Sequence, residues 1–172
     1  MSSRQLFLAI FYLVAALFFS VLQSSVFPRL GFSHLSPDLH YVLIISLPLT
    51  LPVWLGTIIA IILGIITDTF LLTSIGFHAV GFLSFYFILV CLQQTIYFDH
   101  LLFKAFLAAL GCFFLFILQQ LFLVEHVYSN FQLIKGIGAA VATGIFAIPL
   151  LHVLQSFNRE FAIQKTITSS QS

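Results

Sequence analysis

The stretch that decides the fold is Val53-Trp54-Leu55-Gly56-Thr57-Ile58-Ile59-Ala60-Ile61-Ile62-Leu63-Gly64-Ile65-Ile66-Thr67-Asp68-Thr69-Phe70-Leu71-Leu72-Thr73. Its apolar residues are continuous. They do not alternate with period two, as a membrane β-barrel strand would require. A run of about twenty such residues is a helix long enough to cross a ~30 Å hydrocarbon core. Within it Gly56, Ala60 and Gly64 recur every four residues, and the next step is Asp68. Each step of four drifts only about 40° around the helix, so the four positions share roughly a third of its circumference. Lipid supplies no hydrophobic drive for helix association, and small residues take its place by letting backbones approach closely. This face is therefore built to pack against another helix.

Working outward, similar runs place spans at roughly 5–26, 39–52, 75–96, 102–124 and 133–155. The expected fold is an all-α integral membrane protein, a compact bundle of about six transmembrane helices. One domain covers 1–155. A polar tail, 156–172, is expected to be cytoplasmic and partly disordered. The second span is short: 39–52 gives about 21 Å of helix, and Pro48 and Pro52 cannot sit unkinked inside one. It reads as a short or tilted crossing that ends in a tight turn, or as a re-entrant segment. Small residues recur in the sixth span as Gly136, Ala140 and Gly144, and in the first as Ala16, Ser20 and Ser24.

Composition agrees. The 172-residue chain is 61% hydrophobic and 6% charged, with a mean hydropathy of +1.16. A soluble domain carries about 25% charged residues. Six Lys and Arg side chains make no nucleic-acid surface, which needs them clustered. Placing the N-terminus inside puts Arg4, Lys104, Arg159 and Lys165 on the cytoplasmic side and Arg29 and Lys135 outside, a modest positive-inside bias. Both termini are then cytoplasmic. Trp54 and Tyr97 fall at inner span ends and Tyr41 and Tyr128 at outer ends, as interfacial anchors do. The first span lacks a small-x-small cleavage site and reads as uncleaved. Cys91 and Cys112 lie inside spans, where thiols act as small hydrophobes.

Asp68 is the most informative residue. No other Asp, Glu, Lys or Arg lies between Leu39 and Phe98. An acidic group inside a span costs about 2.5–3.5 kcal/mol, so it must face protein or water. It lies ~8 Å below the outer end of its span. The turn Thr73-Ser74-Ile75-Gly76 reverses the chain and brings His78 to a similar depth. Asp68 is expected to accept a hydrogen bond from His78, or from Thr67 or Ser74, and so to pin the third and fourth spans together. A partner contact or proton site is the functional alternative, although a relay needs several ionisable groups in series and only one stands here. Glu125-His126 opens an outer loop, and His34, His40, His100, His126 and His152 scatter near loops. No His-x-x-x-His spacing, nucleophile motif, phosphate loop or carboxylate dyad appears. No catalytic, cofactor or metal residue is expected.

The stretch from Pro37 to Gly81 resembles the bacterial rod shape-determining MreD family. Pro37-Asp38-Leu39 is similar to the family's Pro-Asp/Asn-Leu. Gly56, then Gly64-Ile65-Ile66-Thr67-Asp68, then a short polar turn and Gly76-Phe77-His78-Ala79, follow the family's order and spacing. The turn Thr50 to Trp54 departs from it, being uncharged where members carry basic residues. The resemblance implies a non-enzymatic membrane subunit of the cell-elongation machinery in the bacterial inner membrane. Its partners would be MreC and, through it, MreB, RodA and the transpeptidase partner of RodA. It also implies a likeness in fold to the substrate-binding subunits of energy-coupling-factor vitamin transporters. Asp68, His78, Gly56, Ala60, Gly64, Gly76, Pro37 and Asp38 are the candidate structural or partner-contact residues. Two other functions stay open: a vitamin-type binding subunit of an importer, using Asp38, His40, Asp68 and His78, and a proton-coupled or channel-like protein.

Overall fold

The computed structural model describes residues 3–29, 37–71, 76–95, 100–122 and 130–169, with backbone alone from 155 onward. Every regular element among them is helical. α1 spans Ser3–Val21 and continues through a π-turn, Leu22–Val26, to Phe27–Arg29. α2 is His40–Thr50, α3 Val53–Leu71, α4 Phe77–Thr95, α5 Leu101–Phe122 and α6 Asn130–Ser169. Among the described residues, four stretches are long and apolar enough to cross a membrane: Gln5–Val26, Val53–Leu71, Leu101–Gln120 and Ile134–Leu154. The apolar stretches His40–Thr50 and Phe77–Gln93 are shorter. The chain is an all-α membrane bundle.

The centre of the bundle is its shortest helix. At 11 residues, α2 is about 16 Å long, half a bilayer core. His40 through Leu47 are all buried, so α2 is enclosed on every side, as a helix apolar all round should be. α1, α3, α4, α5 and α6 each pack against it. Two hairpins, α3 with α4 and α5 with α6, make the broadest contacts, whereas α4 and α5 meet over little area. α2 fills the space between the hairpins. Its last turn contains Pro48. There the Thr50 hydroxyl donates to the Ser46 carbonyl at 2.9 Å, and Tyr12 Oη lies 2.9 Å from the same hydroxyl.

The small-residue stripe of α3 faces α4. A methyl group on Gly64 would collide with the backbone of His78 and Ala79, and one on Gly56 with the ring and hydroxyl of Tyr86. Ala60 is fully buried between them. On α6, Gly136 lies against the Phe116 ring, and Gly144 against Ala109. In the first span Ala16 and Ser20 are buried. These stripes are used within the chain. The outer surface is apolar: Ile10, Val14 and Phe18 on α1 and Ile137, Val141 and Ile145 on α6 are among its exposed side chains.

Three expectations change. Tyr41 is no interfacial anchor, because enclosure of α2 buries it completely. Cys91 is exposed on the surface of α4, not packed inside. The backbone of α6 is helical to Ser169, where a partly disordered tail was expected. No Gly or Pro between Gln155 and Ser169 stops the helix. Trp54 is exposed. Thr73, Ser74, Tyr97, Tyr128, His34 and the Glu125–His126 pair lie outside the described residues.

Candidate functional site

Two helices begin inside the bundle, and each start leaves backbone N–H groups without intrahelical partners. Both are capped by a carboxylate, buried at Asp68 and partly exposed at Asp38. Asp68, in the last turn of α3, reaches across to the start of α4. Its Oδ2 accepts the Gly76 N–H at 2.7 Å. Its Oδ1 accepts the His78 N–H at 3.1 Å and the His78 ring at Nδ1, 2.6 Å away. Asp68 is 1% exposed. The chain can present Gly76 N–H this way because Gly76 has φ +98°, a conformation that costs any residue with a Cβ. Of the partners expected for Asp68, His78 is met. Thr67 donates instead to its own Leu63 carbonyl at 2.9 Å.

The start of α2 repeats the device. Asp38 Oδ1 accepts the His40 N–H at 3.1 Å and His40 Nδ1 at 3.0 Å. Gln23, carried on the π-turn of α1, donates its Nε2 to the Pro37 carbonyl at 2.7 Å and to Asp38 Oδ1 at 3.3 Å. The wider turn re-aims one side chain, a common use of π-bulges. The Asp38 N–H donates to Thr143 Oγ1 of α6 at 2.8 Å, and that hydroxyl donates on to the Ala139 carbonyl. On its far side, His40 Nε2 lies 3.0 Å from Ser20 Oγ. A carboxylate can only accept, so both imidazoles carry their proton on Nδ1. A neutral His40 ring then accepts the Ser20 hydroxyl proton at Nε2.

The two caps meet at one ring. Phe82 of α4 stacks with His40 at 6.1 Å between centroids and meets His78 edge-on at 5.8 Å. Tyr41 packs edge-on against Phe82 at 5.3 Å. At this site the ionisable residues are therefore two Asp–His pairs, Asp38–His40 and Asp68–His78, where the sequence showed a series of one. Among the described residues no group of three His, Cys, Asp or Glu side chains could hold a metal ion.

The sequence stretch that resembled a family and the stretch that builds this site coincide. The family model of the rod shape-determining protein MreD matches residues 3–160. The chain belongs to the MreD family. No curated protein and no solved structure matches it. Pro37-Asp38-Leu39, one of the elements on which the resemblance rested, is the cap of α2. The stretch Gly64 to Asp68 supplies both the close approach of α3 to α4 and the cap of α4. MreD is a rod shape-determining membrane protein and part of the MreB–MreC–MreD shape complex, so membrane-protein partners belong to the family's role.

Sequence reading missed Gln23, Phe82 and Thr143, took Ser20 only as a small packing residue, and named His40 only for the importer alternative. His40 carried a usable signal: an Asp two residues before a His at a helix start is a cap pattern. Gln23 had none, because only the π-turn aims it inward. Thr143 lies 105 residues from Asp38, and no local pattern links them.

Proposed function

We propose that this chain is a non-enzymatic scaffold of the cell-elongation machinery. It sits in the bacterial inner membrane with both termini cytoplasmic and supports peptidoglycan synthesis along the side wall. Its direct neighbour is MreC, which links it to MreB, RodA and the transpeptidase partner of RodA. The observation that carries this reading is the family match over residues 3–160. The site supports it in kind. The polar groups at the helix starts are taken up by the chain's own carboxylates, and the outside is an apolar surface suited to other membrane helices. An importer subunit for anionic ligands would instead offer such positive helix ends to its ligand. In this reading Asp68, His78, Gly56, Ala60, Gly64, Gly76, Pro37 and Asp38 hold the shape that partners recognise.

Depletion in the host with imaging of cell shape tests it. Rods should round and swell, and a wild-type copy should restore them. Crosslinkers placed on the exposed faces of α1 and α6 should capture MreC. Cells that stay rod-shaped on depletion sink the proposal.

A further inference from the structure

Tyr41 is held in an unusual way. Its ring is wedged between Phe82 and Phe85 of α4, at centroid distances of 5.3 and 5.4 Å. On the other side it lies against Gly111 of α5, where any Cβ would strike it. The residue is completely buried. Yet its hydroxyl has no hydrogen-bond partner, the one buried side-chain polar atom of this kind among the described residues. Phenylalanine would fill the same wedge without that penalty.

An acceptor lies one helical turn away. The Tyr41 N–H donates to the Asp38 carbonyl at 3.4 Å. Helix side chains lean toward the N-terminus, the side of Tyr41 on which Asp38 lies. Asp38 Oδ1 is filled by His40 and Gln23, but Oδ2 receives no hydrogen bond from the described residues. A buried donor without a partner thus stands on the helix turn that follows a partly exposed carboxylate, and the wedge holds its ring. The wedge itself straddles the narrow contact between α4 and α5. The Asp38 N–H is tied to Thr143 of α6, so the acceptor is linked to the second hairpin.

We infer that the bundle has a second arrangement. In it the α5–α6 hairpin slides at Gly111, the Tyr41 ring tips toward the start of α2, and its hydroxyl donates to Asp38 Oδ2. The hydroxyl unpaired in one arrangement is the contact that stabilises the other. Differential contacts of this kind set the populations of two states.

Tyr41→Phe in the full chain, purified in nanodiscs, is the test. The substitution removes only the hydroxyl and keeps the ring. Loss of the second arrangement should slow amide exchange in α5 several-fold and raise the melting temperature. Asp38→Asn retains the Oδ1 cap and presents an NH2 group at the other position, from which the phenolic oxygen can accept instead of donating; its exchange in α5 should stay closer to wild type than that of Tyr41→Phe. Unchanged exchange in α5 in Tyr41→Phe means one static bundle with a tolerated orphan, and overturns the inference. A lower melting temperature for Tyr41→Phe means the hydroxyl is already bonded, through water, in the resting arrangement, and overturns it too. A cellular arm rests on the scaffold reading: Tyr41→Phe should rescue rod shape less well than wild type. If wild type itself fails to rescue, that reading falls, and amide exchange alone decides this one.

Discussion

Asp68 and Asp38 do the same work at two helix starts, each bonding one backbone N–H and the Nδ1 of the same histidine. A single carboxylate thereby satisfies several donors that hydrocarbon would leave bare, and each bare group would be costly. Replacing Asp68 by Ala strands the Gly76 and His78 donors together. Removing one partner of a buried pair typically costs about 3–5 kcal/mol, so Asp68→Ala should melt far below wild type in detergent. Asp68→Asn keeps one acceptor oxygen and should melt between the two. Equal melting of all three would show that the cap holds nothing. At Gly76 the φ of +98° leaves open space around a Cβ, so strain alone acts. Gly76→Ala should cost about 1–2 kcal/mol, read from the same thermal curves.

At the scale of elements, the stripes of small residues differ in what they tolerate. Gly64 meets the backbone of α4, which cannot rotate away. Gly144 meets the Ala109 methyl at 3.2 Å from a built Cβ, a gap that a few tenths of an ångström of shift relieves. Gly64→Ala should therefore prevent the α3–α4 hairpin from closing, whereas Gly144→Ala should leave a monodisperse protein. Size-exclusion profiles of the two variants make the comparison, and equal behaviour would contradict it. The Gly-Ala-Gly-Asp spacing of α3 was legible in advance because a four-residue recurrence fixes a helix face whatever the neighbour. The neighbour was legible too, since a turn of a few residues joins antiparallel helices. The place of α2 was not. A short apolar run has the same composition at the rim of a bundle and at its centre. Tyr41 shows the cost of that ambiguity: an aromatic at a span end suits an interface, yet here it is enclosed.

The whole molecule is two hairpins and α1 gathered around a helix half the length of a membrane. A core element opens only with the global structure, while outer elements fray locally. Amide exchange should accordingly be slowest in α2, the shortest helix, and faster in α1 and α6. Faster exchange in α2 than in α1 would show that it is a peripheral re-entrant segment. The sequence by itself determined the membrane class, the helical spans and the packed face of α3, and it placed His78 among the partners expected for Asp68. Each follows from local composition, a fixed helical period or a short connection. Only the tertiary structure decided that Asp38 and His40 form a second cap, that Gln23 and Thr143 converge on it from α1 and α6, and that Phe82 joins the two pairs. Those contacts join residues whose separation along the chain carries no periodic signal. They exist because α2, too short to reach across the bilayer, starts among the other helices, where the polar groups of its first turn need partners from protein.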